Sequence, residues 1–206
     1  MSILFKITYG LYMLSANADG KDAGCIVNTV MQQTAVPETL SVTVNKDNYT
    51  TSLIEKSGKC VVNILAEDTP FSFFKDFGMQ SSKDVDKFKD IDVEVTKSGI
   101  KTNKTHSAGY FEMEILNKVD MGTHYLFVGK IVDSKVYEGA KAPVTYDYYH
   151  KNIKPKPQAA KVDDSAKPEQ EVWECKICGW RHTGPLPDDI ICPICKHGKA
   201  DFVRVK

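Results

Sequence analysis

The chain ends in Trp173-Glu-Cys-Lys-Ile-Cys-Gly-Trp180 and, further on, Cys192-Pro-Ile-Cys195, which together hold two Cys-x-x-Cys pairs. A Cys-x-x-Cys pair folds as a tight knuckle that brings both thiolates to one metal, and two knuckles complete a tetrahedral site of four sulfurs. Iron and zinc both accept this ligand set. A disulfide framework is the alternative, but nothing in the sequence indicates an oxidising compartment. We therefore predict a metal site at Cys175, Cys178, Cys192 and Cys195.

Aromatic and small residues flank these cysteines. Trp173 lies two positions before the first cysteine, Gly179 and Trp180 follow the second, Pro193 follows the third, and Phe202 comes after them. With these flanks, residues 172–206 resemble a rubredoxin, in which aromatic side chains pack over the knuckles and shield one iron. Thirteen residues separate the two pairs, a short spacer that is similar to the rubredoxin domains fused to other redox proteins. The resemblance favours iron over zinc.

Length and charge limit what the rest of the chain can be. The 206 residues can hold one domain of ordinary size and a small one. Basic and acidic residues balance at 27 each, so no positive field indicates a nucleic acid or an anionic membrane. No apolar run reaches the roughly 20 residues of a membrane helix, and Met1 to Ala18 reads as a strand rather than a signal peptide. We expect a cytoplasmic protein with no nucleic-acid or membrane partner.

Residues 1–150 alternate in hydrophobicity as short strands do, and turn sequences separate the runs. The predicted strands are Phe5–Ala16, Lys21–Val30, Leu40–Val44, Lys59–Leu65, Gly109–Lys118 and Thr123–Val136. Short helices are predicted over Thr51–Ser57, with Asn48 or Thr50 as cap and Gly58 as stop, over Pro70–Phe77, and near the end of Ser81–Phe88. Many strands without a βαβ rhythm predict a mainly β fold, an antiparallel closed barrel.

The composition changes between residues 151 and 171. Lys-Pro-Lys-Pro and Lys-Pro-Glu-Gln-Glu leave almost nothing to bury, which is typical of a flexible linker. The predicted organisation is therefore a barrel over residues 1–150, a linker over 151–171, and the metal domain over 172–206.

The barrel sequence contains neither a Gly-x-Gly-x-x-Gly after a strand nor a Walker-type loop, so a Rossmann site and a P-loop are both unsupported. Six pieces in order resemble the flavin reductase-like, or flavoredoxin, family. They are Gly10-Leu-Tyr, Gly24-Cys-Ile-Val-Asn-Thr-Val-Met, Ser-Val-Thr-Val-Asn-Lys-Asp-Asn-Tyr-Thr50, Val-Asn-Ile-Leu65, Lys-Asp-Val-Asp-Lys-Phe88 and Gly-Thr-His-Tyr-Leu-Phe-Val-Gly129. The resemblance implies an FMN-binding split barrel, commonly a homodimer with the flavin near the dimer interface.

The same resemblance implies where FMN would lie. The isoalloxazine ring would lie beside Val27 to Met31, and the phosphate beside Asn45 to Thr50, where loop amides before a helix and the Lys46 ammonium suit a dianion. Further positions approach flavin in the family. The flavin-binding candidates are Asn28, Thr29, Val30, Met31, Asn45, Lys46, Asn48, Thr50, Ser81, Lys83, Lys87 and His124.

Each candidate also has a purely structural explanation. Asn45 to Asn48 could be a solvated turn, Lys83 and Lys87 could form a charged helix face, and His124 could be a hydrogen-bonded barrel histidine. Cys25 and Cys60 fall in apolar strands and are expected to be small buried residues rather than ligands.

The two halves together favour electron transfer. FMN accepts two electrons at once, whereas a four-cysteine iron exchanges one, so the fusion would convert a two-electron donor to a one-electron carrier. Such fusions resemble flavo-rubredoxins of anaerobes, which implies NAD(P)H or another reductant as donor and a redox protein, such as a flavodiiron-type reductase, as acceptor. Two alternatives stay open: a flavin reductase with a structural zinc ribbon, and one that releases reduced flavin to a monooxygenase.

Overall fold

A computed structural model describes residues 3–155, 171–176, 180–192 and 197–206. Its chain separates into two compact units, with the boundary in the sequence between Ile153 and Lys154. Cys178, Cys195 and most of the predicted linker lie outside the described residues. The predicted start of the linker is wrong, because Lys151 belongs to a π-helix, Tyr149–Ile153, that follows a helical turn, Tyr146–Tyr148. Tyr149 and Ile153 pack in the apolar core of the first unit.

A seven-stranded antiparallel sheet forms the first unit. Its strands are β1 Tyr12–Ala18, β2 Lys21–Val27, β3 Val30–Ala35, β4 Glu38–Asn45, β5 Lys59–Leu65, β8 Ser107–Asp120 and β9 His124–Val136. They lie in the order β2-β1-β5-β8-β9-β4-β3. A hairpin of β6 Val93–Val95 and β7 Lys101–Asn103, which the sequence did not predict, forms a separate two-stranded sheet that packs against β1 and β5. A 3-10 turn, Ile3–Lys6, precedes β1 where a strand was predicted.

The sheet curls because its two edge strands are consecutive in the chain. Only Asn28 and Thr29 join β2 to β3, and two residues span roughly 10 Å at most. One edge of the sheet must therefore approach the other at this corner. The Thr29 hydroxyl donates to Thr43 O (3.1 Å), and Thr43 N donates to Thr29 O (3.1 Å). The single strand predicted over Lys21–Val30 is wrong for this reason: it breaks where the barrel turns its corner.

The curled sheet encloses an apolar interior that one helix closes. Helix α1, Tyr49–Ser57, begins after the cap residue Asn48 and ends at Gly58, whose φ of 67° is easiest for glycine. Its buried Leu53 and Ile54 pack with the inward-facing strand residues Leu14, Ala16, Cys25, Leu40, Val42, Val44, Cys60, Val62, Met113 and Phe127. The predicted cap, stop and buried cysteines are confirmed.

A second helix covers the outside of the barrel. In α2, Phe71–Gly78, the side chains of Phe73, Phe74 and Phe77 are buried with Met13 and Leu65. Gly24 of β2 allows this approach, because a Cβ there would lie 2.8 Å from the Phe77 ring. The helix predicted near the end of Ser81–Phe88 is wrong: this stretch consists of turns.

The second unit contains a small antiparallel sheet in its described residues. Its strands are β10 Val172–Cys175, β11 Arg181–Thr183 and β12 Phe202–Arg204, in the order β11-β10-β12. A 3-10 turn, Lys199–Asp201, leads into β12. The register places Cys175 opposite Phe202, so this aromatic residue lies at the level of the first of the four predicted metal ligands.

Candidate functional site

A cavity of about 440 Å³ opens at the barrel corner, where β2 ends and α1 begins. This volume falls within the range of small-molecule sites, roughly 300–1,000 Å³. Five of the predicted flavin residues line it: Asn28, Thr29, Asn45, Asn48 and His124. The sequence search missed Thr43, Met121 and Leu126, which line it as well. The register of β4 with β9 pairs Thr43 with Leu126 as it pairs Asn45 with His124, and this pairing is the signal that would have found Thr43 and Leu126.

The side chains of Asn45 and Asn48 hold the loop that leads into α1. Asn45 Oδ1 accepts a hydrogen bond from Asp47 N (2.8 Å), and Asn48 Oδ1 accepts one from Thr50 N (3.1 Å). Because the Asn45 oxygen faces the backbone, the Nδ2 group of Asn45 remains as a donor that can be offered to a ligand. The Asn48 side chain also hydrogen-bonds the Cys25 thiol, so its Nδ2 group already has a partner. The cavity wall therefore offers the Asn45 amide donor to an anion or a polar ring edge.

Most backbone amides of this loop already have partners. Lys46 N donates to Thr123 O, Asn48 N to Asn45 O, and Thr51 N to Asn48 O, at 3.0 to 3.2 Å. The expectation that open loop amides receive a phosphate therefore needs a correction. In this conformation an anion beside α1 would meet side-chain donors and the helix dipole rather than a cradle of free amides.

Two predicted lysines flank this loop without lining the cavity. Lys46 Nζ lies 2.5 Å from Asp120 Oδ1 and 4.7 Å from the centre of the Tyr125 ring. Lys83 Nζ lies 5.7 Å from the centre of the ring of Tyr49, the first residue of α1. Ser81 supports the same turn, because its hydroxyl accepts a hydrogen bond from Lys83 N (3.2 Å). Both ammonium groups therefore lie near the N-terminus of α1.

The remaining four candidates lie elsewhere. Lys87 is 8% exposed, and its Nζ donates to Gly24 O (2.8 Å) and Phe77 O (3.0 Å), so it ties the turns after α2 to β2. Thr50 is fully buried, Val30 packs against the barrel interior, and the Met31 side chain is 68% exposed on β3. The structure thus places these side chains away from the cavity, and Lys87 has a structural role.

His124 is the titratable residue of the cavity wall. Its Nδ1 lies 2.8 Å from the Thr123 hydroxyl. This contact orients the ring at the start of β9, beside Asn45 of the neighbouring strand. His124 can therefore present its other ring nitrogen to a ligand as a donor or an acceptor, according to its tautomer.

The second unit shows one cysteine from each predicted knuckle. Cys175 and Cys192 are fully buried. Cys175 N donates to Trp180 O and Cys192 N donates to His197 O, each over 2.8 Å. In both segments the cysteine amide therefore bonds to the carbonyl five residues later. Trp180 contacts Phe202 edge-on, at 6.1 Å between ring centres. This repeated geometry with aromatic cover fits a closed four-sulfur metal centre.

Comparison with known proteins agrees with both halves. The chain belongs to the flavin reductase-like family, whose domain matches residues 4–155, and it carries a rubrerythrin-type, rubredoxin-like domain at residues 173–203. By family the protein is a flavin oxidoreductase, and its mainly β fold with a small rubredoxin-like unit confirms the predicted fold class. No helix within the described residues is long and apolar enough to cross a membrane.

Three similar proteins illustrate the match. A high molecular weight rubredoxin of Moorella thermoacetica is 30% identical, and the match covers 98% of each chain. A ferric-chelate reductase (NAD(P)H) of Archaeoglobus fulgidus is 36% identical over 71% of this chain and 86% of its own. The crystal structure of a flavoredoxin from Methanosarcina acetivorans is 25% identical and superposes with a TM-score of 0.58, covering 64% of this chain and 70% of that one.

Proposed function

We propose that this protein is an electron-transfer flavo-rubredoxin: NAD(P)H or another reductant reduces FMN in the barrel, and electrons pass singly to an iron held by four cysteines. The observation that carries the proposal is the presence of both domains in one chain, together with the high molecular weight rubredoxin that matches 98% of it. From the iron the electrons would go to a redox protein, such as a flavodiiron-type reductase.

The cavity at the barrel corner supplies what FMN needs. Asn28 and Thr29 would hold the polar edge of the ring, and Asn45 would turn its Nδ2 donor to the phosphate end, where Asn48 caps the start of α1. The positive end of the α1 dipole and the nearby lysines favour a dianion there. Bound flavin accepts two electrons as a hydride and can release them one at a time. The residues of this chain orient the cofactor and limit its contact with water.

The four cysteines would hold the iron. Burial of Cys175 and Cys192 keeps two of the ligands away from solvent, and thiolates favour soft or borderline metals. Four thiolates stay available for a metal in a reducing compartment, so we place the protein in the cytoplasm. A structural zinc ribbon uses the same ligands, but it would give a flavin oxidoreductase no one-electron path.

A homodimer through the barrel is part of the proposal. Strand β3 is an edge strand whose side chains are almost all exposed, and Val36 directly after it is 93% exposed. Edge strands that expose apolar side chains tend to pair with another chain. Burial of this edge in a dimer would also enclose the nearby cavity.

Metal and flavin analysis tests the proposal. Protein purified without air or added zinc should contain about one iron per chain, as one four-cysteine set allows, and should retain FMN through desalting. The oxidised protein should be red, because ferric iron with four sulfurs absorbs visible light. Stoichiometric zinc without iron, from cells grown in iron-rich, zinc-depleted medium, would contradict the electron-transfer function. Loss of all flavin on desalting would instead favour a reductase that releases reduced flavin.

A further inference from the structure

A second cavity, of about 770 Å³, lies between the segment that precedes β1 and the helical turns that follow Val144. Its walls include two aromatic residues, Tyr9 and Tyr146, and its rim carries Lys6, His150 and Lys151. None of the residues assigned above to flavin or metal lines it. The cavity is thus separate from the site already described and has no role in it.

Backbone hydrogen bonds fix the walls of this second cavity. Gly10 and Thr145 form an isolated β-bridge, and Tyr146 N donates to Tyr9 O over 2.8 Å. The Tyr9 and Tyr146 rings meet edge to face at 6.3 Å between centres, and the His150 ring lies 4.5 Å from Tyr146. Aromatic side chains held in this way are ordered before a ligand arrives, so a ligand that stacks on one of these rings would lose little free energy in ordering it.

The charge of the rim is positive. Lys151 is paired with Asp147 at 2.7 Å, whereas Lys6 has no carboxylate within ion-pair distance among the residues that the structure describes. His150 adds positive charge when it is protonated. A preformed aromatic ring beside an uncompensated lysine suits a base that carries phosphate, because bases stack on aromatic rings and phosphate pairs with ammonium groups.

The second cavity lies at the same end of the barrel as the flavin cavity. Tyr12, the first residue of β1, pairs with Val27, the last residue of β2. Tyr9 and Gly10 come just before this pair, and Asn28 and Thr29 of the flavin cavity come just after it. A ligand with two ends could therefore place one end in each cavity.

We infer that the cavity of Tyr9, Tyr146 and Lys6 binds the adenosine-phosphate half of the nucleotide reductant, while the nicotinamide half reaches the flavin cavity. This inference rests on the proposed function for its donor, NAD(P)H. The adenine ring stacks on the tyrosine platform, and Lys6 neutralises the phosphates next to it.

Three single substitutions in the full-length, FMN-loaded protein test the inference. Lys6→Glu reverses the charge at the rim, and Tyr146→Leu removes the stacking surface. Lys21→Glu is the matched control, because Lys21 is an exposed lysine at the opposite end of β2 from Val27. The readouts are the dissociation constant of ADP by calorimetry, the KM and kcat for NADH and NADPH, and the FMN content after desalting.

Lys6→Glu and Tyr146→Leu should each weaken ADP binding and raise the KM for the nucleotide about tenfold, equivalent to about 1.4 kcal/mol. The kcat and the FMN content should stay unchanged, Lys21→Glu should match the parent, and the Lys6→Glu effect should shrink at high salt. Equal ADP affinity in the parent and Lys6→Glu, or no ADP binding by the parent, would overturn the inference, as would FMN loss in Lys6→Glu. A parent without flavin would refute the proposed function instead, and ADP calorimetry would still decide the inference.

Discussion

Lys46 has two partners in the structure, and the proposed flavin phosphate would compete with them. Its ammonium pairs with Asp120 and lies over the Tyr125 ring, whereas a flavin phosphate beside α1 would attract the same charge. Asp120 also accepts a hydrogen bond from Gly122 N (2.9 Å), and the hydrogen bond from Lys46 is the main cause that holds the pKa of the Asp120 carboxyl below its usual range. Exposed ion pairs are weak, at about 0–1 kcal/mol. A dianion can therefore displace Asp120 from Lys46.

Asp120→Asn should strengthen FMN binding several-fold, because the phosphate would no longer compete with a carboxylate for Lys46. Lys46→Glu should weaken FMN binding and leave the iron spectrum intact. Asp19→Asn is the matched control, since it breaks a similar exposed pair with Lys56 elsewhere on the barrel. Fluorescence titration of the flavin-free protein with FMN, at low and moderate salt, measures the FMN affinity of all three variants. Equal affinities for Asp120→Asn and Asp19→Asn would show that Lys46 does not contact the phosphate.

Lys87 gives a prediction about stability. Burial is the main cause that lowers its pKa from 10.5 to about 8 in the folded protein. The unfolded chain therefore binds more protons between these values, and the free energy of unfolding should rise with pH through this window. The contribution amounts to about 2 kcal/mol between pH 7 and pH 9.5. Denaturant unfolding of the parent and of Lys87→Met at both pH values measures it. If the difference in unfolding free energy between the parent and Lys87→Met is the same at both pH values, the lowered pKa of Lys87 is contradicted.

Local signals predicted some elements correctly, and tertiary contacts explain the errors. Helix α1 and strand β5 follow from a cap, a stop glycine and an apolar run, all of which are read within a few residues. The break at Asn28 depends on contacts with β4, and the turns of residues 81–88 depend on bonds from Lys87 to β2 and α2. The order of motifs likewise indicated a candidate flavin site, but it could not show that Asp120 pairs with Lys46 or that Thr50 is buried.

Substitutions of Asn48, the cap residue of α1, can distinguish an effect on stability from an effect on ligand binding. Asn48→Asp keeps an oxygen that accepts from Thr50 N, so the stability of the helix should be nearly unchanged. The same change places a negative charge at the cavity wall beside the proposed phosphate site, so FMN affinity should fall by tenfold or more. Asn48→Ala should instead lose about 1 kcal/mol of stability by removing the cap. Thermal unfolding and FMN titration of the two variants check this. Normal FMN binding by Asn48→Asp would place the phosphate elsewhere.

The whole chain joins two units with different electron chemistry. The barrel belongs to a family of flavin oxidoreductases, and the small unit is rubredoxin-like and buries Cys175 and Cys192. The covalent connection keeps the two centres at a high local concentration whatever the protein concentration. Transfer between them should therefore follow first-order kinetics with a rate that does not change on dilution.

Anaerobic stopped-flow reduction of the iron-loaded protein by NADPH or NADH tests the central claim most directly. The flavin absorbance should decay first, and the red absorbance of the iron should then bleach with a rate independent of protein concentration. Cys192→Ser, which removes one metal ligand, should abolish the second phase and leave flavin reduction unchanged. If the flavin is reduced while the iron remains oxidised, or if Cys192→Ser delivers electrons to a protein acceptor as fast as the parent, the iron is not on the electron path.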